Sequence, residues 1–178
     1  MAQLPYVMES AGISPELRSI YDDIIKLRGG VLNLYRILAN QPPALRAFMS
    51  MSRYVRDQSS LPPQLRELAI LVTAYGLNVE YERVHHLAAA RKVGVLETKL
   101  RDLAAWRSSD AYEPIERAVM AYADEVAVSR HVRDSTVNDL RRYLSPQEVV
   151  DLAITVAWYH FCAALILPLG VEMEGTST

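Results

Sequence analysis

The sequence predicts an all-α protein, and three observations carry that prediction. Apolar residues recur at helical spacing from end to end, capping residues cut the chain into helix-length pieces, and neither an Asn-Gly-type hairpin dipeptide nor sustained period-two alternation occurs. At 178 residues, with 51% hydrophobic and 22% charged positions, the chain can bury a genuine core and is expected to form one domain over residues 1–178. Within it we expect an N-terminal helical layer (14–57), a central segment (61–94) and C-terminal helices (96–168).

The first helix is expected from Pro15 to Arg28, with Ser14 as N-cap, Pro15 at the first helical position and Gly29-Gly30 ending it. A short helix through Leu32–Leu38 stops at Asn40 and Pro42-Pro43, and Ala44–Arg56 again has apolar residues at helical spacing. After Leu61-Pro62-Pro63 comes QLRELAILVTAYGLN. From Leu68 to Tyr75 only Thr73 is polar, so this helix should be buried nearly all round. Gly76–Asn78 supplies a turn, and VEYERVHHLAAARKV runs to Gly94 as its C-cap, completing an antiparallel helical hairpin. Further helices are expected at Leu96–Trp106, Glu113–Ser129 and Ser135–Tyr143, the last capped by Asp134. Ser145-Pro146-Gln147-Glu148 combines an N-cap, a first-position Pro and a capping-box Glu, and opens a long apolar helix ending near Pro168. The tail GTST should be loose. The expected core includes Leu68, Ile70, Leu71, Val72, Ala89, Val119, Ala153, Val156, Trp158, Phe161 and Leu165.

Composition excludes several functions. Nineteen Lys plus Arg against 21 Asp plus Glu, with no basic run denser than Arg141-Arg142, argues against nucleic acid as a partner. The single cysteine, Cys162, cannot form an internal disulfide, a two-thiol redox pair or a Cys-based zinc site, and its apolar neighbours predict an inert buried thiol. No basic segment followed by an apolar one opens the chain, which predicts a cytoplasmic address. The apolar stretch Ala153–Leu169, interrupted by Thr155, His160 and Pro168, is short of a bilayer's roughly 20 residues and reads as a core helix, so no membrane is expected. So much apolar surface on a 20.0 kDa chain predicts a homo-oligomer.

The hairpin concentrates the chemistry. Glu67 lies ten residues before Leu77 and His86 nine after it, so at about 1.5 Å per residue both sit at nearly equal depth and can meet across the pair. Ile70, Leu71 and Ala74 follow Glu67 on its stripe, and a carboxylate at the head of an apolar stripe needs a partner. Val79, Glu82, Arg83, His86 and Ala90 share a face, with Glu82 one turn from His86. A Glu–His pair serves either as a structural ion pair or as an acid–base couple in which the carboxylate orients the imidazole. Glu82 is a second carboxylate for such work, or a partner for Arg83 or solvent. Tyr81 stands four residues before His85 and offers a hydroxyl to a substrate, or packing; His85 is a further substrate contact, or a solvated residue. Arg83 or Arg66 offers a guanidinium to a substrate carboxylate. The Glu82-x-x-His85 spacing occurs in di-iron bundles, which need two such motifs; one is present, so neither metal nor other cofactor is expected.

Leu61-Pro62-Pro63 with RELAIL, then EYERVHHLAAARKVGV, resembles the core motif of the carboxymuconolactone decarboxylase / AhpD-like family, and VLNLYRILANQPPALRAF is similar to the segment that precedes it there. The resemblance covers roughly Val31–Gly94, and more loosely the C-terminal helices. In alkylhydroperoxidase D members a Glu precedes a Cys-x-x-Cys by twelve positions and a His follows the second Cys by four; the spacing falls on Glu67, Val79, Glu82 and His86, so both cysteines are replaced. The resemblance therefore implies an AhpD-like helical domain without thiol-dependent peroxidase chemistry. It points to lyase-type chemistry on a small carboxylated or lactone ring, catalysed by His86, Glu67 and Glu82 with Tyr81, His85 and Arg83 binding substrate. The alternative is a redox-inactive relative with another activity or a binding or assembly role. It further implies a trimer or hexamer with sites near subunit boundaries.

Overall fold

The structure, a computed structural model, describes residues 1–10 and 12–175; the expected loose tail at 176–178 lies outside them. Helices and turns make up the fold, with no strand among the described residues. The chain resolves into two compact units, Met1–Asp57 joined by the chain from Leu165 on, and Gln58–Ala164.

In the first unit α1 (Pro15–Arg28) opens on Ser14, whose hydroxyl accepts from Leu17 N–H at 3.2 Å, and closes on left-handed Gly29. It packs with α2 (Asn33–Leu38) and α3 (Pro42–Arg53) around Leu17, Ile20, Ile24, Leu34 and Leu45, and Tyr35 meets Phe48 edge-on at 6.0 Å. A π-helical turn, Tyr54–Gln58, replaces the last expected turn of α3.

The second unit is built on α4 (Pro63–Gly76). Every residue from Leu65 to Ala74 is buried, as its apolar run predicts, because α4 packs against both α5 (Glu80–Lys92) and α7 (Pro114–Ser129). The approach to α7 is close: a Cβ added to Gly76 would stand 2.8 Å from the Ala127 Cβ. Asn78, at φ 54°, is the left-handed residue of the hairpin turn. α5 is capped by Val93, one position before the expected Gly94, which follows at φ 86°. α7 carries an additional capping box, Glu113 with Glu116.

The predicted helix over 96–106 divides into α6 (Glu97–Arg101) and a 3₁₀ turn, Leu103–Ala105. Ser109 Oγ donates to Asp102 at 2.6 Å, and the Arg117 guanidinium bonds the carbonyls of Trp106, Arg107, Ser109 and Tyr112, pulling this segment into a loop. α8 is Asp134–Leu140, with Arg133 rather than Asp134 in the cap position; the Glu125 carboxylate accepts from Arg133 N–H at 2.9 Å and thereby fixes the helix start.

α9 (Pro146–Leu169) opens with the predicted reciprocal cap, Ser145 N–H to Glu148 at 2.8 Å and Glu148 N–H to Ser145 Oγ at 3.3 Å. At 24 residues, with a mean hydropathy of 1.8 over its most apolar stretch, it is long and apolar enough to cross a bilayer by length and composition, and 39% of that stretch is buried. The expectation that it falls short is corrected on that point. Leu152, Val156, Tyr159, Cys162 and Ala163 are buried, whereas Phe161 is 49% exposed and stacks on Trp158 at 5.2 Å. The expected burial of Phe161 fails because α9 is apolar on all sides, so spacing alone does not reveal its inward face. Ala89, Ala153, Trp158 and Leu165 are half-buried; the remaining expected core residues are buried.

Candidate active site

The hairpin brings Glu67 of α4 and His86 of α5 together as their equal depth requires. Both side chains are buried, and His86 Nδ1 donates to Glu67 Oε2 at 2.7 Å, since a carboxylate oxygen only accepts. One turn back along α5, Glu82 Oε2 stands 3.4 Å from His86 Nε2. α9 adds Tyr159, whose ring meets the imidazole edge-on at 4.8 Å and 86°. Arg66, also buried, places Nε 3.6 Å from Glu67 Oε1.

This geometry fixes the protonation logic. A neutral imidazole that spends its one proton on Glu67 turns a lone pair toward the Glu82 carboxylate, which repels it; a second proton shared between Nε2 and Glu82 removes the conflict. Burial works against the imidazolium, but hydrogen bonds to Glu67 and Glu82, backed by their charges, outweigh it and hold the His86 pKa above its ordinary value. His86 is thus a buried imidazole whose Nδ1 is anchored on Glu67 and whose Nε2 faces Glu82. Glu82, which the sequence left between Arg83 and the site, faces His86.

The structure places the other predicted residues apart from this trio. His85 Nδ1 lies 2.7 Å from the Tyr81 carbonyl oxygen, and the two rings sit 4.4 Å apart, so Tyr81 and His85 pair with each other along α5. With His85 turned to that carbonyl and Glu82 to His86, the Glu82-x-x-His85 spacing converges on no common point. Arg83, expected at a substrate carboxylate, instead bonds Glu80 and Asn78 and lies 5.0 Å over the Tyr75 ring. Among the described residues no cluster of three or more His, Cys, Asp or Glu is suited to a metal ion.

Tyr159 had no local signal, being a distant helix's contribution. Cys162, also on α9, has its thiol pushed up by burial, reinforced by the nearby Glu82 carboxylate, so it stays protonated and unreactive beside the site. A cleft of about 630 Å³ lined by α7 and α8 contains none of these residues. Its carboxylates Asp124, Glu125 and Asp139 are each matched by Arg107, Arg133 and Arg142, which leaves no spare acid or base there. The hairpin is the better candidate.

Comparison with known proteins finds the following similarities. Residues 42–125, which include Glu67, Glu82 and His86, match the carboxymuconolactone decarboxylase family. An uncharacterized Bacillus subtilis (strain 168) protein, YdfG, is 26% identical over 117 residues, 65% of this chain and 79% of its own. Two solved structures share the fold at a TM-score of 0.83: the debrominase Bmp8 in complex with 2,3,4-tribromopyrrole, 19% identical over 98% of this chain and 95% of that one, and a peroxidase-related protein with an alkylhydroperoxidase AhpD core from Ralstonia eutropha JMP134, 21% identical over 98% and 93%.

Proposed function

Because residues 42–125 match the carboxymuconolactone decarboxylase family and the all-α fold is AhpD-like, we propose that the chain performs acid–base, lyase-type chemistry on a small carboxylated or lactone ring. The observation that carries this reading is the buried imidazole held by a carboxylate on each ring nitrogen, at 2.7 and 3.4 Å. Decarboxylation breaks the bond to a carboxylate carbon, CO₂ leaves, and the electron pair passes into the ring as an enolate. The Nε2 proton of His86 then ends on carbon, and solvent reloads the imidazole through Glu82. Glu67 keeps Nδ1 protonated and the ring oriented. A thiol route lacks support, since Val79 and Glu82 stand at the positions that cysteines occupy in the peroxidase branch.

The test incubates purified protein with a panel of carboxylated lactones, following CO₂ release, and separately with peroxide plus a dithiol. The expected result is lactone turnover that falls at least about a hundredfold in His86→Gln and less in Glu67→Gln. Peroxide turnover that survives Cys162→Ser, or lactone turnover indifferent to His86→Gln, overturns the reading.

The proposal includes a homo-oligomer, trimeric or hexameric, acting in the cytoplasm on a small molecule without nucleic-acid or membrane partners. The outward face of α9, where Val150, Ala157, Phe161 and Ala164 are exposed beside Trp158, supports self-association. A stable 20 kDa particle in light scattering at micromolar concentration refutes that part, and recovery in the membrane fraction refutes the address.

A further inference from the structure

Arg66 is the least explained charge in the protein. Its side chain is only 9% exposed, yet the guanidinium donates no hydrogen bond to any described residue. Nε is enclosed and unpartnered, and its closest carboxylate oxygen, Glu67 Oε1, stands at 3.6 Å, beyond bonding distance. The contrast with other arginines is informative. Arg36 spends Nε and Nη2 on Glu9 at 3.1 and 2.7 Å, and Arg117 spends its fork on backbone carbonyls. A guanidinium is charged at every accessible pH and has five donors in a rigid fork, so enclosing its Nε without an acceptor is costly, and the rest of the fork has no protein acceptor to hold it. Nη1 and Nη2, unlike Nε, are not enclosed, so the end of the fork reaches the surface and gives a ligand a way in.

We propose that Arg66 is the anion receptor of the Glu67–His86 site, taking a carboxylate of a small organic acid onto its uncommitted fork. The inference rests on the acid–base reading only for what happens next; binding of the anion stands by itself. Glu67 repels an incoming carboxylate, but at 3.6 Å it neutralises Arg66 only by charge and leaves every donor free, while the His86 imidazolium offsets the repulsion. The receptor therefore selects for an oxyanion with two accepting oxygens over a neutral group of the same shape.

The experiment titrates benzoate, and benzamide as its uncharged counterpart, into the wild-type protein with ¹⁵N-arginine labelling. The side-chain Nε–H signal of Arg66 and isothermal calorimetry are the readouts. Benzoate should bind saturably in the millimolar range or tighter and move that signal, and benzamide should bind at least about tenfold more weakly. Arg66→Gln should weaken benzoate by on the order of tenfold to a hundredfold and leave benzamide unchanged; Arg66→Lys, which keeps the charge without the fork, should fall between and serves if the Gln variant does not fold. Equal binding of both probes, no binding of benzoate to wild type, or benzoate affinity unaltered in the variants each overturns the proposal. Carboxylate binding without turnover of any lactone removes the lyase reading and keeps the receptor, whereas turnover indifferent to Arg66 does the reverse.

Discussion

Replacing Glu67 by Gln removes one charge from a buried cluster and almost no volume. In the native protein the buried His86 imidazole, its pKa held above the ordinary value, sits 2.7 Å from Glu67 and 3.4 Å from Glu82, with Arg66 3.6 Å from Glu67 on the other side. The substitution leaves two buried cations facing one carboxylate. Removing one member of a buried ion pair costs about 3–5 kcal/mol. The lower end, about 3 kcal/mol, applies because Gln still accepts the Nδ1 proton and Glu82 remains. For a chain of this length that corresponds to a loss of about 6–12 °C in Tm. The sign of the pH dependence follows from the direction of the His86 shift. A pKa raised in the folded state contributes stability that is complete below the unfolded value of about 6.5 and fades as pH rises through the folded value. The gap between wild type and Glu67→Gln should therefore be largest near pH 6 and narrow at higher pH. Calorimetric melts of both proteins from about pH 5.5 to 9.5 provide the check, and a gap independent of pH would refute the claim that charge, rather than hydrogen bonding alone, holds the pair.

Three further outcomes are expected. Asp151→Asn should cost about 1–3 kcal/mol in urea melts, because the buried carboxylate accepts from both Ser60 N–H and Ser60 Oγ at 2.6 Å, and an amide rotated the wrong way offers a donor to a donor; unchanged stability contradicts it. Gly76→Ala should cost about 1–3 kcal/mol, since the new methyl would stand 2.8 Å from that of Ala127, and a neutral result by thermal melting would show that α7 can yield. Cys162 should resist a thiol reagent at pH 8 while the protein is folded and react fully in denaturant, its thiol being buried and held protonated; rapid labelling of the native protein would count against that.

The parts of this structure that were legible in the sequence are those set by local spacing. Ser14, Gly29 and Ser145 mark helix ends through bonds to neighbours three or four residues away, and the Glu67–His86 contact needs only a turn and an equal count of residues on either side. Features set at long range were not legible. Arg117 unwinds the segment after Arg101 from 5 to 11 residues away, Tyr159 reaches His86 from another helix, and Phe161 faces outward on a helix whose composition gives no preferred side. Arg66 was the hardest to place. Consecutive helical residues do not normally face one another, so its proximity to Glu67 follows from the packing of α4 rather than from its position in the chain. Arg83 is engaged locally for the opposite reason, as nearby Glu80 and Asn78 accept from it.

The contact between Gly76 and Ala127 makes the two positions a shared allowance of one methyl group between α4 and α7. Neither residue is constrained alone; their sum is. In proteins that keep this helix crossing, a side chain gained at position 76 has to be matched by one lost at position 127. A serine at one should exclude anything larger than glycine at the other. The pair would then vary as a compensated unit across sequences, a signature readable without any structure and quite separate from the charged cluster deeper in the same hairpin.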